Sequence, residues 1–302
     1  MPKQTIKNGT LLFALLVVLC SCAKRERINE LPKNPQRIVS MAPSLTECVY
    51  AAGGIDRIVG VTKFCIYPEQ VTKLPQVGGF SDANFEAVYR LKPDLVIILH
   101  KTFSAPERLE SLDIPYVELD TSTIQKIYES IRFLGTLFQT ESQSDSAIRE
   151  LKRQVQSIAE ATENAPSRKV LISIGRSMGT GGLRDVYAAG KNTLYDELLE
   201  LLGSENAYKG NLKYAKLSNE SIMRLNPDVI IDLVPDLGTS VNLTREEVQR
   251  EWNALKHVSA VRNGEVYIFA EDYVTVPGPR FVLVFKDIAQ AIYPEIFGKV
   301  SP

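Results

Sequence analysis

At 302 residues, with 44% hydrophobic and 24% charged residues, the chain can bury a core in one large or two modest domains, and it is too apolar to be a disordered segment. Its 35 lysines and arginines nearly balance its 36 aspartates and glutamates, so no field of one sign points to nucleic acid or an anionic membrane surface. Four cysteines in this length do not make a disulfide framework.

In chain order, the first feature is an export signal. Lys3 and Lys7 precede an apolar run from Leu11 to Cys20, too short to span a bilayer comfortably but suited to the core of a signal peptide. Its end, Leu19-Cys20-Ser21-Cys22, resembles a bacterial lipobox, which makes Cys22 the lipidated first residue of the mature chain. Residues 1–21 are then the signal peptide, and 22–35, charged and proline-containing, a tether. Acyl chains contribute about 0.8 kcal/mol per buried methylene, so they anchor a protein without a spanning helix.

Residues 36–121 read as a first α/β lobe. A strand from Gln36 to Met41 leads to Ser44 and Glu47, whose capping-box spacing predicts a helix through Tyr50 that ends at Gly53-Gly54. A strand at Ile58–Thr62 feeds two loops that carry aromatics, Lys63 to Pro68 and Gly78 to Asp82. Strands after Pro93 and from Pro115 to Leu119 complete the lobe, and the alternation of strands with helices predicts a mostly parallel sheet. Cys48 falls in the predicted helix and Cys65 in a predicted loop; a bond between them and two small buried hydrophobes both fit.

Residues 122–165 are helical. Ile124, Ile127, Ile131, Leu134 and Phe138 recur at helical spacing, as do Ile148, Leu151, Val155, Ile158 and Thr162. The second of these helices, expected from Ser144 to Asn164, is a rod of roughly 30 Å linking two lobes.

Residues 166–302 read as the second lobe. It opens with a strand from Lys169 to Gly175, and the glycine-rich stretch after it lacks the Gly-Lys-Ser/Thr of a phosphate loop. A helix is expected to open at Gly190–Thr193 and run to Leu202, another is capped by Thr244 and Glu247 with Trp252 and Leu255 on its apolar side, a last strand covers Glu265–Ala270, and Pro279-Arg280 begins a terminal helix.

One sentence occurs in both lobes. Glu86-x-x-x-Arg90-Leu91-Lys92-Pro93-Asp94 is followed by an apolar run, and so is Glu220-x-x-x-Arg224-Leu225-Asn226-Pro227-Asp228. Each predicts a short helix with a carboxylate in its first turn, a stop before proline and a buried strand. The copies stand 134 residues apart, a domain's length rather than a solenoid repeat, so the lobes are read as equivalents.

The chain lacks the patterns of a nucleophile or a metal centre: two histidines, His100 and His257, and no HExxH, Gly-x-Ser-x-Gly or CxxC. The informative side chains are aromatic and cationic groups after strands: Phe64, Tyr67 and Phe80 in the first lobe, Arg176, Tyr214, Tyr273 and Arg280 in the second. Ligands of open α/β sheets gather beyond the carboxyl ends of strands, so both sets suit one cleft and a large, flat, polar or partly anionic ligand.

Taken together, Arg37 to Glu47, Val59-Gly-Val61, Tyr67-Pro68, Val77 to Phe80, the two Glu-to-Pro-Asp sentences and Pro277-Gly-Pro-Arg280 resemble the substrate-binding proteins of bacterial importers for ferric siderophores, haem and cobalamin. The resemblance implies two α/β lobes joined by one long backbone helix, no catalysis and no intrinsic cofactor. It implies a monomer outside the cytoplasm that delivers a ferric siderophore or a corrinoid to an ABC permease with its ATPase, and permease docking through Glu86 and Glu220. Aromatic cleft positions of the cobalamin binders fall on Phe64, Phe80, Tyr214 and Tyr273; a haem protein of the same class would take an axial ligand from Tyr67, Tyr214 or Tyr273. A lipid-anchored metal-binding protein or enzyme is the rival from another class.

Overall fold

The computed structural model describes residues 31–79, 82–102, 104–179, 182–235, 237–238 and 242–298. The first lobe runs β1 (Ile38–Ser40), α1 (Pro43–Ala51), β2 (Ile58–Val61), α2 (Phe85–Arg90), β3 (Leu95–Leu99), α3 (Ala105–Ser111) and β4 (Tyr116–Leu119). Two helices follow, α4 (Ile124–Phe138) and α5 (Glu141–Thr162). The second lobe contains β5 (Lys169–Ser173), β6 (Val186–Ala189), α6 (Leu194–Leu201), β7 (Glu205–Asn206), β8 (Tyr214–Leu217), α7 (Asn219–Leu225), β9 (Val229–Leu233), α8 (Arg245–Glu251), α9 (Ser259–Arg262), β10 (Val266–Phe269), α10 (Phe281–Ile292) and α11 (Pro294–Phe297).

The first sheet is parallel in the order β2-β1-β3-β4; the second has the order β10-β9-β5-β6-β8, parallel except at β6, with β7 beside the start of β5. Their apolar runs bury both faces by alternation. Ile38, Leu95 and Ile97 on one sheet, and Val170, Ile172, Val229 and Ile231 on the other, enter a single core with α1, α4, α5, α6 and α10. The intervening residues face a smaller core in each lobe, with Val39, Val96 and Ile98 in the first and Leu171, Ile230 and Ile268 in the second.

The repeated sentence has one structure in both places. Asn84 and Ser218 are the N-caps, accepting from the backbone N–H of Ala87 and Ser221. Lys92 and Asn226 take left-handed conformations, φ 45° and 43°, which end each helix ahead of its proline. Asp94 then accepts from the backbone N–H of Gln36 and Arg37 at 2.7 and 2.9 Å, and Asp228 from that of Lys169 at 3.0 Å. The aspartate thus ties the start of its own strand to the start of the central strand beside it.

Several expected boundaries move. The linking rod starts at Glu141 and ends at Thr162, because α4 stops at Phe138 with Gln139 left-handed (φ 60°) and Thr140 donating back to the Ala52 carbonyl. The helix expected from Gly190 begins at Leu194, with Thr193 as its cap, and the terminal helix begins at Phe281. Trp252 and Leu255 are buried as expected, but in a 3-10 turn after α8. Thr244 and Glu247 form a capping box. Ser44 and Glu47 do not: extended Ala42 precedes Pro43 at the helix start, Ser44 Oγ accepts from Thr121, and Glu47 turns elsewhere. Cys48 and Cys65 are buried free thiols.

Candidate functional site

The two lobes meet where α1, following β1, faces the segment that follows β10. Both contributions come from the carboxyl ends of parallel strands, where open α/β sheets place their ligands. Glu47 leaves the inner face of α1 and receives three N–H groups of Arg280: Nε at 2.9 Å and Nη2 at 2.8 Å on Oε1, and the backbone N–H at 3.3 Å on Oε2. Arg280 Nη2 also reaches Asp272 Oδ2 at 2.7 Å. The guanidinium lies over the ring of Tyr67 at 4.2 Å and near that of Tyr273 at 5.6 Å, so one cation is held between aromatics of opposite lobes. Gly278 permits this approach, since a Cβ there would come within 2.8 Å of Glu47 Oε2 and 3.2 Å of Ser44 Cα. The Glu47 side chain is 2% exposed and that of Arg280 13%. Burial raises the Glu47 carboxyl above its ordinary range, even against the opposing hydrogen bonds and charge of Arg280.

Around this pair stand aromatic and aliphatic side chains that the protein leaves in solvent. Phe64 (55% exposed) and Ile66 project from the loop that carries Tyr67, and Tyr50 meets the Tyr67 ring edge-on at 5.8 Å. From the second lobe comes Tyr214, more than half exposed. Tyr214 lies beside Tyr195, whose hydroxyl donates to the Val274 carbonyl at 2.7 Å, and its proximity adds to the burial that raises the Tyr195 phenol. Gly79 packs against Phe64, and Lys63 pairs with Asp82 at 3.1 Å across the base of the same two loops. Phe80, and the lipidation position Cys22, lie outside the described residues.

Arg176 is corrected by its surroundings. Its side chain is fully buried, with Nε on Asp232 Oδ2 at 2.8 Å, Nη1 on Glu251 and Nη2 on the Val248 carbonyl at 3.0 Å. Trp252 Nε1 joins the same Asp232 oxygen at 2.9 Å. With every guanidinium nitrogen engaged and none of the side chain exposed, Arg176 is a core ion pair out of a ligand's reach. Arg280 likewise is not an open anion clamp, because two carboxylates already face it. Tyr273 donates its hydroxyl to Asp287 at 2.8 Å, which, with burial, raises its phenol. Glu47 and Ile66 were missed by sequence reasoning. Glu47 matched a capping pattern, whereas the spacing Phe64-x-Ile66 offered a signal for the other.

Glu86 and Glu220 occupy the first turns of α2 and α7, both exposed. Glu86 pairs with Arg90 at 3.2 Å in the open. The backbone N–H at the helix start and the Ser218 hydroxyl hold Glu220 below the ordinary carboxylate range. Since each helix runs into the start of a parallel strand, both carboxylates sit at the strands' carboxyl ends, the same end as the Glu47–Arg280 contact. Among the described residues no group of three or more His, Cys, Asp or Glu could hold a metal, and no helix is long and apolar enough to cross a membrane.

A family model described as periplasmic binding protein matches residues 38–273. An uncharacterized ABC transporter substrate-binding lipoprotein, YvrC, of Bacillus subtilis is 30% identical over 88% of this chain and 82% of its own length. A vitamin B12-binding protein of Pectobacterium atrosepticum is 31% identical over 85% of this chain and 88% of its own. A periplasmic haem-binding protein of Pseudomonas aeruginosa superposes with a TM-score of 0.73 at 26% identity, over 87% of this chain and 94% of that one.

Proposed function

This chain belongs to the periplasmic binding protein family, and we propose that it is the extracytoplasmic receptor of an ABC importer for a corrinoid, a flat metal chelate with a neutral, amide-bearing rim. Its function is to bind, deliver and release that ligand unchanged, with no intrinsic cofactor. The observation that carries the ligand class is the charge at the lobe contact. Arg280 faces both Glu47 and Asp272, and Lys63, beside Phe64, faces Asp82, so these two cations are already matched by carboxylates. A haem with its carboxylates, or a ferric tris-catecholate, brings net negative charge that needs an uncompensated cation. Carboxamides need only neutral hydrogen bonds, and exposed Phe64, Ile66 and Tyr214 supply apolar area for a macrocycle. The vitamin B12-binding relative supports the same class.

Delivery uses Glu86 and Glu220, one handle per lobe, on a membrane permease served by an ATPase; interface charges of this kind set orientation and association rate. The anchor is lipid at Cys22, a reading supported by the lipoprotein relative, and Cys22→Ser is expected to move the protein from the membrane to the soluble fraction.

The decisive experiment is dialysis of the protein against equimolar cyanocobalamin, haemin and a ferric tris-catecholate, with the retained ligand identified by its visible spectrum and mass. Stoichiometric retention of the corrinoid is expected. Preferential retention of either anionic chelate would overturn the ligand class, and retention of none would overturn the receptor reading.

A further inference from the structure

The duplicated handle contains a second exposed position that its acidic residue does not explain. In the shared register most matched residues have a structural duty: Asn84 and Ser218 cap, Val88 and Ile222 are fully buried beneath their helices, Lys92 and Asn226 make the left-handed stop, and Asp94 and Asp228 hold the neighbouring strand. Three residues after each glutamate, on the same helical face, stands a large apolar side chain in solvent, Tyr89 at 58% exposure and Met223 at 42%. One exposed apolar residue is ordinary; the same exposure at equivalent positions of two lobes, beside two equivalent carboxylates, is a pattern.

The first-lobe copy also borders a surface cavity of about 580 Å³ between α2 and α3, lined by Phe85, Glu86, Tyr89, Arg108 and Leu112 with Asp82 at its edge. Asp82 is already held by Lys63 at 3.1 Å, so Glu86 is the groove's exchangeable carboxylate, and beside Phe85 and Leu112 it suits an apolar side chain with a cation next to it. Glu86 meets such a cation at little cost, because its bond to Arg90 is a solvated pair of the kind worth about 0–1 kcal/mol.

We propose that Tyr89 and Met223 are apolar anchors of the docking surface, and that the groove beside Glu86 receives an extracytoplasmic loop of the membrane permease bearing an apolar side chain next to a basic one. This rests on the delivery reading above. Carboxylates at the rim set orientation, whereas truncating a desolvated aromatic at the centre of a contact costs affinity directly.

The test uses the lipidated protein and the ABC permease–ATPase complex isolated from the same membrane by its affinity for the wild-type protein, reconstituted in nanodiscs, with dissociation measured by interferometry. Tyr89→Ala is expected to weaken binding about tenfold and Met223→Ala several-fold, mostly through faster dissociation. Tyr89→Phe should retain binding, and Tyr187→Ala, an exposed tyrosine on β6, should change nothing. Cyanocobalamin affinity and thermal midpoint should stay at the wild-type values in all of them. If Glu86→Ala weakens docking while Tyr89→Ala and Met223→Ala stay within twofold of wild type, the anchors are refuted and the delivery reading stands. If Glu86→Ala and Glu220→Ala together also leave docking intact, or if no ABC permease is retained, the delivery reading itself fails.

Discussion

Removing the Glu47 carboxylate would leave Arg280 with Asp272 as its one acidic partner in a nearly dry contact. Breaking a buried pair from one side typically costs 3–5 kcal/mol, and partial solvation of this one sets the expectation for Glu47→Ala at about 3 kcal/mol in urea unfolding. Glu47→Gln keeps an acceptor for the guanidinium and should lose less. The pH dependence has a definite sign. A folded pKa raised above 4.5 means that the native state favours the protonated acid, so this contribution is complete below the unfolded value and is lost as pH rises through the folded one. The advantage of the wild type over Glu47→Gln should therefore be largest in acid and shrink above about pH 4.5; an advantage that grows with pH would show a depressed carboxyl instead. Sequence reasoning placed Arg176 and Arg280 together as clamps because both follow strands, and at this scale it could go no further. Arg176 meets Asp232 and Glu251, 56 and 75 residues along the chain, and Arg280 meets Glu47 across 233, pairings that no local pattern encodes.

Among the elements, the repeated helix-stop-strand sentence was the most legible, because its information is local: a cap, a first-turn acid, a left-handed stop, a proline and an apolar run. What stayed hidden was why aspartate follows proline, since its partners are backbone N–H groups of another strand. Asp94→Ala and Asp228→Ala should each lose about 1–2 kcal/mol, the cost of leaving strand-start amides without their acceptor. Chemical denaturation of each variant measures this, and no loss in either would mean that water replaces the carboxylate. The strands β6 and β8 were illegible for a related reason. Each has four residues, and β8 alternates exposed with buried over a single repeat of the pattern, too short a window for period two to stand out.

At the scale of the whole molecule, the two sheets were legible as separate lobes, but their dependence on one another was not. The linking helix α5 buries Ile148 and Leu151 in a core shared with Ile38 and Ile97 of the first sheet and Ile172 and Ile231 of the second. A tether with its own solvated faces would let each lobe melt alone. A helix whose apolar stripe completes both cores cannot release one lobe without exposing the other, and the Glu47–Arg280 contact adds a polar bond across the same boundary. The protein should therefore unfold in one calorimetric transition, with the calorimetric enthalpy equal to the van't Hoff enthalpy and with the buried Trp252 of the second lobe reporting the same midpoint as far-ultraviolet dichroism of the whole chain. Two separated transitions, or an early loss of dichroism with Trp252 still buried, would show independent lobes.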